Sequence, residues 1–242
     1  MTRKQSVLFD FLIPLVILLG FTLLFWMSDL DLSLQRQFFV PGEGWIYADL
    51  PLCRALYEHG TLPALFLSIV CLLAFIGSFW KSQLLPYRNA FLFLVLLMLI
   101  GPGLVVNSIF KEHWGRPRPR AVVQFGGKQT FLTVWQKGES GKGSSFPSGH
   151  ASMGFFLLSP YFVLRHRSKK WAWTFLGLGL GYGLLMGLVR MVQGGHFASD
   201  VLWAGGMVYL CALGLYYLLH LDQNSISFDW PRSRVFSKKP GF

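Results

Sequence analysis

The chain has 242 residues, of which 53% are hydrophobic and only 14% are charged. Apolar runs long enough to cross a bilayer recur along it, which excludes an ordinary water-soluble globule. The formal net charge is +11, but the basic residues are scattered between the apolar runs and form no single stripe, which argues against a nucleic-acid partner.

Six apolar runs predict six membrane-spanning helices, at residues 8–27, 61–80, 89–110, 151–164, 172–189 and 201–219. A helix of about 20 residues crosses a hydrocarbon layer of about 30 Å. The fourth run is short, so we expect its helix to begin inside the preceding FPSGH stretch. The predicted fold class is an all-α integral membrane bundle of six helices within residues 1–220, followed by a basic tail at 221–242.

Lysine and arginine predict the orientation of these helices. They are concentrated at both termini and in the connections at residues 81–88 and 165–170. The positive-inside rule places these regions in the cytoplasm, and the long loop at 111–147 then faces outward although it is itself basic. We expect a multi-pass inner-membrane protein with both termini in the cytoplasm.

The first apolar run follows a basic stub, as a secretory signal would. It is longer than the apolar region of a signal peptide, and WMSDLDLS after it offers no cleavage site of the small-x-small kind. We interpret it as a retained helix. Cys53, Cys71 and Cys211 show neither paired spacing nor a metal-binding motif, and we expect them to be structural thiols.

Three polar clusters lie where apolar runs end or begin. KEHWGRPRPR follows the third run, FPSGH precedes the fourth, and VRMVQGGHFASD joins the fifth to the sixth. Because successive spans alternate in direction, the ends of spans three and five lie on the same side as the starts of spans four and six. We therefore expect the three clusters to meet at one end of the bundle.

The clusters contain cations suited to a phosphoryl group. Lys111, Arg118 and Arg190 provide three positive charges, and a helix N-terminus provides backbone N–H groups. Phosphoryl transfer gathers negative charge on non-bridging oxygens, which such groups stabilise. The pattern predicts an anion site.

The same clusters contain acid and base groups. His196 and Asp200 are four residues apart, so on a helix the carboxylate is expected to hold one ring nitrogen and leave the other free to attack. His150 is expected to protonate the leaving oxygen.

These clusters resemble the signature of the type 2 phosphatidic acid phosphatase family, the lipid phosphate phosphatases. The family pattern is Lys, six residues, Arg-Pro; then Pro-Ser-Gly-His; then Ser-Arg, five residues, His, three residues, Asp. The matching residues are Lys111, Arg118, Pro119, Pro147, Ser148, Gly149, His150, Arg190, His196 and Asp200. Val189 stands where the family usually has Ser, which puts one supporting hydrogen bond in doubt.

The resemblance implies a phosphohistidine mechanism without a metal or another cofactor. His196 would be the nucleophile, Asp200 its orienting partner, and His150 the acid that later activates water. The phosphate would be held by Lys111, Arg118, Ser148, the Gly149 backbone and Arg190. Arg116-Pro117 is a second Arg-Pro pair, and the family spacing favours Arg118 over Arg116.

The predicted function is hydrolysis of a phosphorylated membrane lipid at the outer face of the membrane. FKEHWGRPRPR and VQGGHFASD look most like bacterial phosphatases that remove a phosphate from lipid A. Phosphatidylglycerophosphate and undecaprenyl pyrophosphate remain alternative substrates, and a lipid phosphotransferase remains an alternative activity. A non-catalytic lipid-phosphate binding protein or carrier predicts charges within the spans, and the sequence has few there. The oligomeric state stays open.

Overall fold

The computed structural model describes residues 3–223, which form a bundle of α-helices with a single two-stranded hairpin. The predicted all-α class is confirmed. Most of the predicted basic tail, from residue 224 onward, lies outside the described residues. The division into a domain at 1–220 and a tail stays a prediction.

Within the described part, five helices are long and apolar enough to cross a membrane. They are Lys4–Met27, Pro51–Gly77, Ser82–Lys111, Lys169–Val192 and Ala198–Leu218. The shorter apolar helix Gly149–Leu164 takes the place of the predicted fourth span, and it begins inside FPSGH as expected.

The first half of the chain contains three spans and, between the first two, a short segment with α2 and the hairpin. Its elements are α1 (Arg3–Met27), α2 (Leu30–Arg36), the antiparallel strands β1 (Phe39–Val40) and β2 (Gly44–Trp45), α3 (Pro51–His59), α4 (Leu62–Gly77), a 3₁₀ segment (Ser82–Tyr87), α5 (Arg88–Met98) and a π-helical segment (Leu99–Lys111). The second span begins at Pro51, not at residue 61 as predicted. Proline suits the first helical turn, and α3 leads into α4 through Gly60 and Thr61.

The second half contains the long loop and the last three spans. Its elements are two 3₁₀ turns (Pro119–Ala121 and Val123–Phe125), α6 (Gly149–Phe156), α7 (Pro160–Leu164), α8 (Lys169–Val192) and α9 (Ala198–Leu218). Helix α6 packs against both α8 and α9. The fourth span is short because α6 ends at Phe156 and α7 starts again at Pro160.

Glycines allow α6 to approach α8 closely. A Cβ on Gly154 would lie 2.8 Å from the Cα of Gly183, and a Cβ on Gly179 would overlap the backbone of Leu158. Helices in a bilayer associate largely through such close van der Waals packing of small residues. This contact places the start of α6 beside the end of α8.

A polar contact joins α1 to the opposite end of the bundle. Arg165, just after α7, donates a hydrogen bond to the carboxylate of Asp10, and the Tyr217 hydroxyl donates to the same oxygen at 2.5 Å. The Arg165 guanidinium also lies 4.7 Å above the ring of Tyr216. These contacts fix α1 and α9 at the end far from the three polar clusters.

We expect Gly179→Leu to destabilise the bundle, because its side chain would meet the backbone of Leu158. Overpacking of this kind typically costs about 1–3 kcal/mol. Thermal unfolding of the purified protein in detergent should show a lower midpoint.

The matched control is Gly181→Leu, on the same helix, where a Cβ meets nothing within 4 Å. An equal fall in both variants would show that the close α6–α8 contact is not the cause.

Candidate active site

The predicted site residues come together at one end of the bundle. Lys111 ends the π-helical segment, Gly149 begins α6, Arg190 lies in the last turn of α8, and His196 lies between α8 and α9. The charges of Lys111, Arg190 and Arg118 all act on His196 and on His150. The expected convergence of the three clusters is therefore seen in the geometry.

Among the described residues, the three predicted cations have no carboxylate partner. None of the ion pairs within residues 3–223 includes Lys111, Arg118 or Arg190. Arg190 donates to the side-chain oxygen of Gln193, but its Nε and the Nε of Arg118 are buried without a hydrogen-bond partner among the described residues. A buried cation without a counter-charge is costly, so this group favours a bound anion.

FPSGH forms the entrance to α6. Ser148 is the N-cap residue, and its Oγ accepts from the N–H of Ala151 at 3.4 Å. Its own N–H donates to the backbone oxygen of Asp200 at 3.2 Å, which ties this stretch to the start of α9. Gly149 is required by its neighbours, because a Cβ there would meet Asn107 and lie 3.0 Å from Lys111 Nζ.

His196 is buried with a defined tautomer. Its Nδ1 lies 2.5 Å from the backbone oxygen of Ser145. A carbonyl only accepts hydrogen bonds, so Nδ1 carries the hydrogen and Nε2 of the neutral ring keeps a lone pair. Burial, together with the positive charges of Arg190 and Lys111, holds the pKa of His196 well below its usual value. The ring is therefore uncharged at neutral pH.

The expected direct hydrogen bond from His196 to Asp200 is not formed. The Asp200 carboxylate is 3.9 Å from Nδ1. The spacing of four residues would bring the two side chains together only on one helix. Helix α9 begins at Ala198, and His196 lies before it. Asp200 instead accepts from the N–H of Phe197 at 2.8 Å and from the Ser145 hydroxyl at 2.6 Å. It orients His196 through Ser145, whose backbone oxygen holds the ring.

Residues 90–224 match the model of the PAP2 superfamily. The chain belongs to this superfamily. No solved structure gives a significant match.

The PAP2 protein is also similar to three relatives named Lipid A 4'-phosphatase. One from Francisella tularensis subsp. novicida is 42% identical over 158 residues, which is 64% of this chain and 70% of the relative. Relatives from Rhizobium etli and Rhizobium leguminosarum are each 34% identical over 119 residues, which is 48% of this chain. These two matches span 45% and 50% of the relatives' own lengths.

A buried ion network behind the site of this PAP2 protein was not predicted from the sequence. The Arg116 guanidinium is fully buried and donates to Asp31 at 2.7 Å, to Asp200 at 2.5 Å and to the Ser199 hydroxyl at 2.7 Å. The two carboxylates raise the pKa of Arg116 although burial opposes them. Arg116, of the first Arg-Pro pair, thus belongs to this network. Arg118, of the second pair, lies near Lys111 instead.

Helix α2 contributes to the same network. Asp31 accepts from the Ser199 N–H at 3.0 Å, and Gln35 Nε2 donates to the backbone oxygen of His196 at 2.6 Å. Both residues come from a short polar segment between the first two spans, where the sequence gives no sign of burial. Helix α2 therefore holds the backbone from His196 to Ser199.

Tyr57 on α3 lies beside the site and also went unpredicted. Its ring stacks on His150 with centroids 4.9 Å apart, and the Arg190 guanidinium lies 4.5 Å above it. The backbone oxygen of Tyr57 accepts from His150 Nε2 at 3.2 Å. An aromatic face stabilises a neighbouring cation, so Tyr57 orients both side chains.

We expect Arg116→Lys to destabilise the protein and to lower its activity. A lysine cannot reproduce the fork that holds two carboxylates, and breaking a buried pair typically costs about 3–5 kcal/mol. The measurement is the thermal midpoint in detergent together with turnover of a lipid phosphate.

The control is Arg54→Lys, which alters a surface pair whose two side chains are largely exposed and should change neither quantity. Full stability of Arg116→Lys would show that the network does not hold the site together.

Proposed function

We propose that this chain is an integral membrane lipid phosphatase that removes a phosphomonoester from a lipid A-type headgroup through a phosphohistidine on His196. The observation that carries the proposal is the buried His196 imidazole, whose Nδ1 meets the Ser145 carbonyl, beside three cations that pair with no carboxylate among residues 3–223. The names of the relatives support the choice of lipid A.

In the first step, Nε2 of His196 attacks phosphorus and the bond from phosphorus to the lipid oxygen breaks. The leaving oxygen takes a proton from His150, whose protonated form the negative charge of the substrate favours. Lys111, Arg118 and Arg190 stabilise the charge on the non-bridging oxygens. Nucleophilic attack of this kind splits a slow hydrolysis into two easier steps.

In the second step, His150 removes a proton from water, and the resulting oxygen attacks phosphorus. The bond from phosphorus to Nε2 breaks, which releases inorganic phosphate and restores neutral His196. Throughout both steps the Ser145 carbonyl keeps the hydrogen on Nδ1, so the same nitrogen attacks in every cycle.

We further propose that the reaction needs no metal. Among the side chains of residues 3–223, no three His, Cys, Asp or Glu come together as a possible metal site. Asp200, the carboxylate nearest to His196 in sequence, already pairs with Arg116. The three site cations supply the charge that a metal would otherwise provide.

We propose an inner-membrane location with the site facing the periplasm. The connections at 81–88 and 165–170 are basic and lie between spans at the end away from His196. The positive-inside rule assigns that end to the cytoplasm. A site at span ends meets a phosphorylated headgroup while the acyl chains stay in the bilayer.

We expect His196→Ala to abolish phosphate release from lipid A by the detergent-purified protein. Wild-type protein quenched during turnover of ³²P-labelled lipid should carry a label that is stable in alkali and lost in acid, as a phosphohistidine is. The variant should carry none, because the attacking nitrogen is gone.

His113→Ala is the matched control, since its ring is exposed and its Nδ1 lies 2.9 Å from the backbone oxygen of Ile109, one helical turn earlier. Wild-type turnover should also survive EDTA. Substantial turnover by His196→Ala would refute the phosphohistidine mechanism, and irreversible loss with EDTA would refute metal independence.

The acid limb of the pH profile should report His196. Only the unprotonated ring attacks, so activity falls when pH drops below its pKa. Burial and the nearby cations lower that pKa, so kcat/KM should persist below the ordinary imidazole value of about 6.5. Arg190→Gln removes one of the cations that lower the pKa of His196. The acid limb should therefore move to higher pH, even if the maximal rate also changes.

Arg54→Gln, which removes an exposed cation on α3, should leave the acid limb in place. An acid limb that does not move in Arg190→Gln would contradict the assignment of this limb to His196.

A further inference from the structure

A second polar cavity adjoins the candidate active site. It measures about 310 Å³, at the small end of ligand pockets. Its polar lining includes Arg118, Arg120, Gln129, Lys142 and Ser144, and the remaining lining residues are Ala121, Gly141 and Gly143. Arg118 thus belongs both to this cavity and to the group of cations around His196.

Backbone hydrogen bonds fix this cavity relative to His196. The N–H of Arg120 donates to the oxygen of Gly194 at 3.1 Å, two residues before the nucleophile. On the other wall, the N–H of Ser145 donates to the oxygen of Arg116 at 3.0 Å. Ser145 is the residue whose carbonyl holds the imidazole, so both walls are anchored next to the reacting nitrogen.

The cavity carries uncompensated positive charge. Burial, and then the charge of Arg120, lowers the pKa of Arg118. None of the described residues that line the cavity is acidic. At the rim, Lys142 pairs with Glu139 at 2.8 Å, but both side chains are 68% exposed, and such surface pairs are weak. An anion in the cavity would relieve the repulsion between Arg118 and Arg120.

We propose that this cavity is a second anion subsite, which binds another phosphate of the same lipid headgroup whose phosphomonoester reacts at His196. The inference rests on the proposed phosphatase function and makes headgroups with two phosphates the substrates that bind more tightly.

One molecule bearing both anions explains the shared Arg118 better than two separate ligands do. When the first phosphate is bound at the catalytic cations, a second one on the same headgroup has a high effective concentration at the subsite. Two separate anions bound on either side of Arg118 would each lose translational freedom, whereas one headgroup with two phosphates loses it only once. Arg120 and Lys142 then act on affinity for the headgroup, not on the chemical step.

The test compares Arg120→Gln with wild type on two lipids in neutral detergent micelles. One is lipid A with two phosphates, and the other is the same lipid with only the phosphate that the enzyme removes. We expect KM for the doubly phosphorylated lipid to rise about tenfold, the typical effect of losing one hydrogen bond to a charged group, with little change in kcat. KM for the singly phosphorylated lipid should stay near wild type.

Lys142→Gln should show the same selectivity more weakly, because Lys142 already pairs with Glu139, and Arg120→Lys should restore much of the affinity. Lys137→Gln is the matched control: this exposed cation in the same loop does not line the cavity. The unchanged turnover of the singly phosphorylated lipid serves as the test of correct folding in every variant.

An equal rise in KM for both lipids would refute the second subsite. It would mean that Arg120 attracts any anionic lipid and does not bind a second phosphate. The test is repeated with phosphatidylglycerol added to the micelles. If Arg120→Gln then raises KM for the singly phosphorylated lipid as well, the cavity binds a neighbouring lipid and the proposal is wrong. Absence of phosphate release from either lipid by wild-type protein would instead contradict the proposed function itself.

Discussion

The buried guanidinium of Arg116 joins three parts of the chain that are distant in sequence. It pairs with Asp31 of α2 and with Asp200 of α9, and its own position lies in the long loop after the third span. A charge buried without its partner costs several kcal/mol. All three segments must therefore assemble together, and the loop that carries Arg118 takes its place against the bundle through this contact.

The charged groups behind His196 are paired with one another, whereas the cations in front of it are not. Behind His196, one arginine meets two carboxylates, and hydroxyl and backbone groups satisfy the remaining oxygens. In front, Lys111, Arg118 and Arg190 face the site without any acidic partner among residues 3–223. The repulsion among them opposes folding, and the packed network offsets it. In the proposed function, a phosphorylated substrate would supply the missing negative charge.

The sequence predicted the parts of the site that depend on local patterns. Apolar runs and their alternating direction were enough to bring Lys111, His150 and His196 to one end of the bundle. The contact of Asp31 with Arg116 joins residues 85 positions apart, and neither periodicity nor composition marks a buried aspartate in a polar segment. The Ser145 carbonyl could not be predicted at all, because every residue has one and only the fold selects which one meets the ring.

The partner of His196 Nδ1 is an uncharged group, the backbone carbonyl of Ser145. This affects the pKa of the ring. A carboxylate hydrogen-bonded to an imidazole favours the protonated ring and so raises its pKa, whereas a carbonyl fixes the tautomer with a much smaller effect. Asp200 lies 3.9 Å from His196, and its charge is offset by Arg116 at 2.5 Å. Its influence passes through the hydroxyl and backbone of Ser145 as orientation more than as charge. Pairing Asp200 with arginine thus helps to keep Nε2 unprotonated among cations that would attract a phosphate.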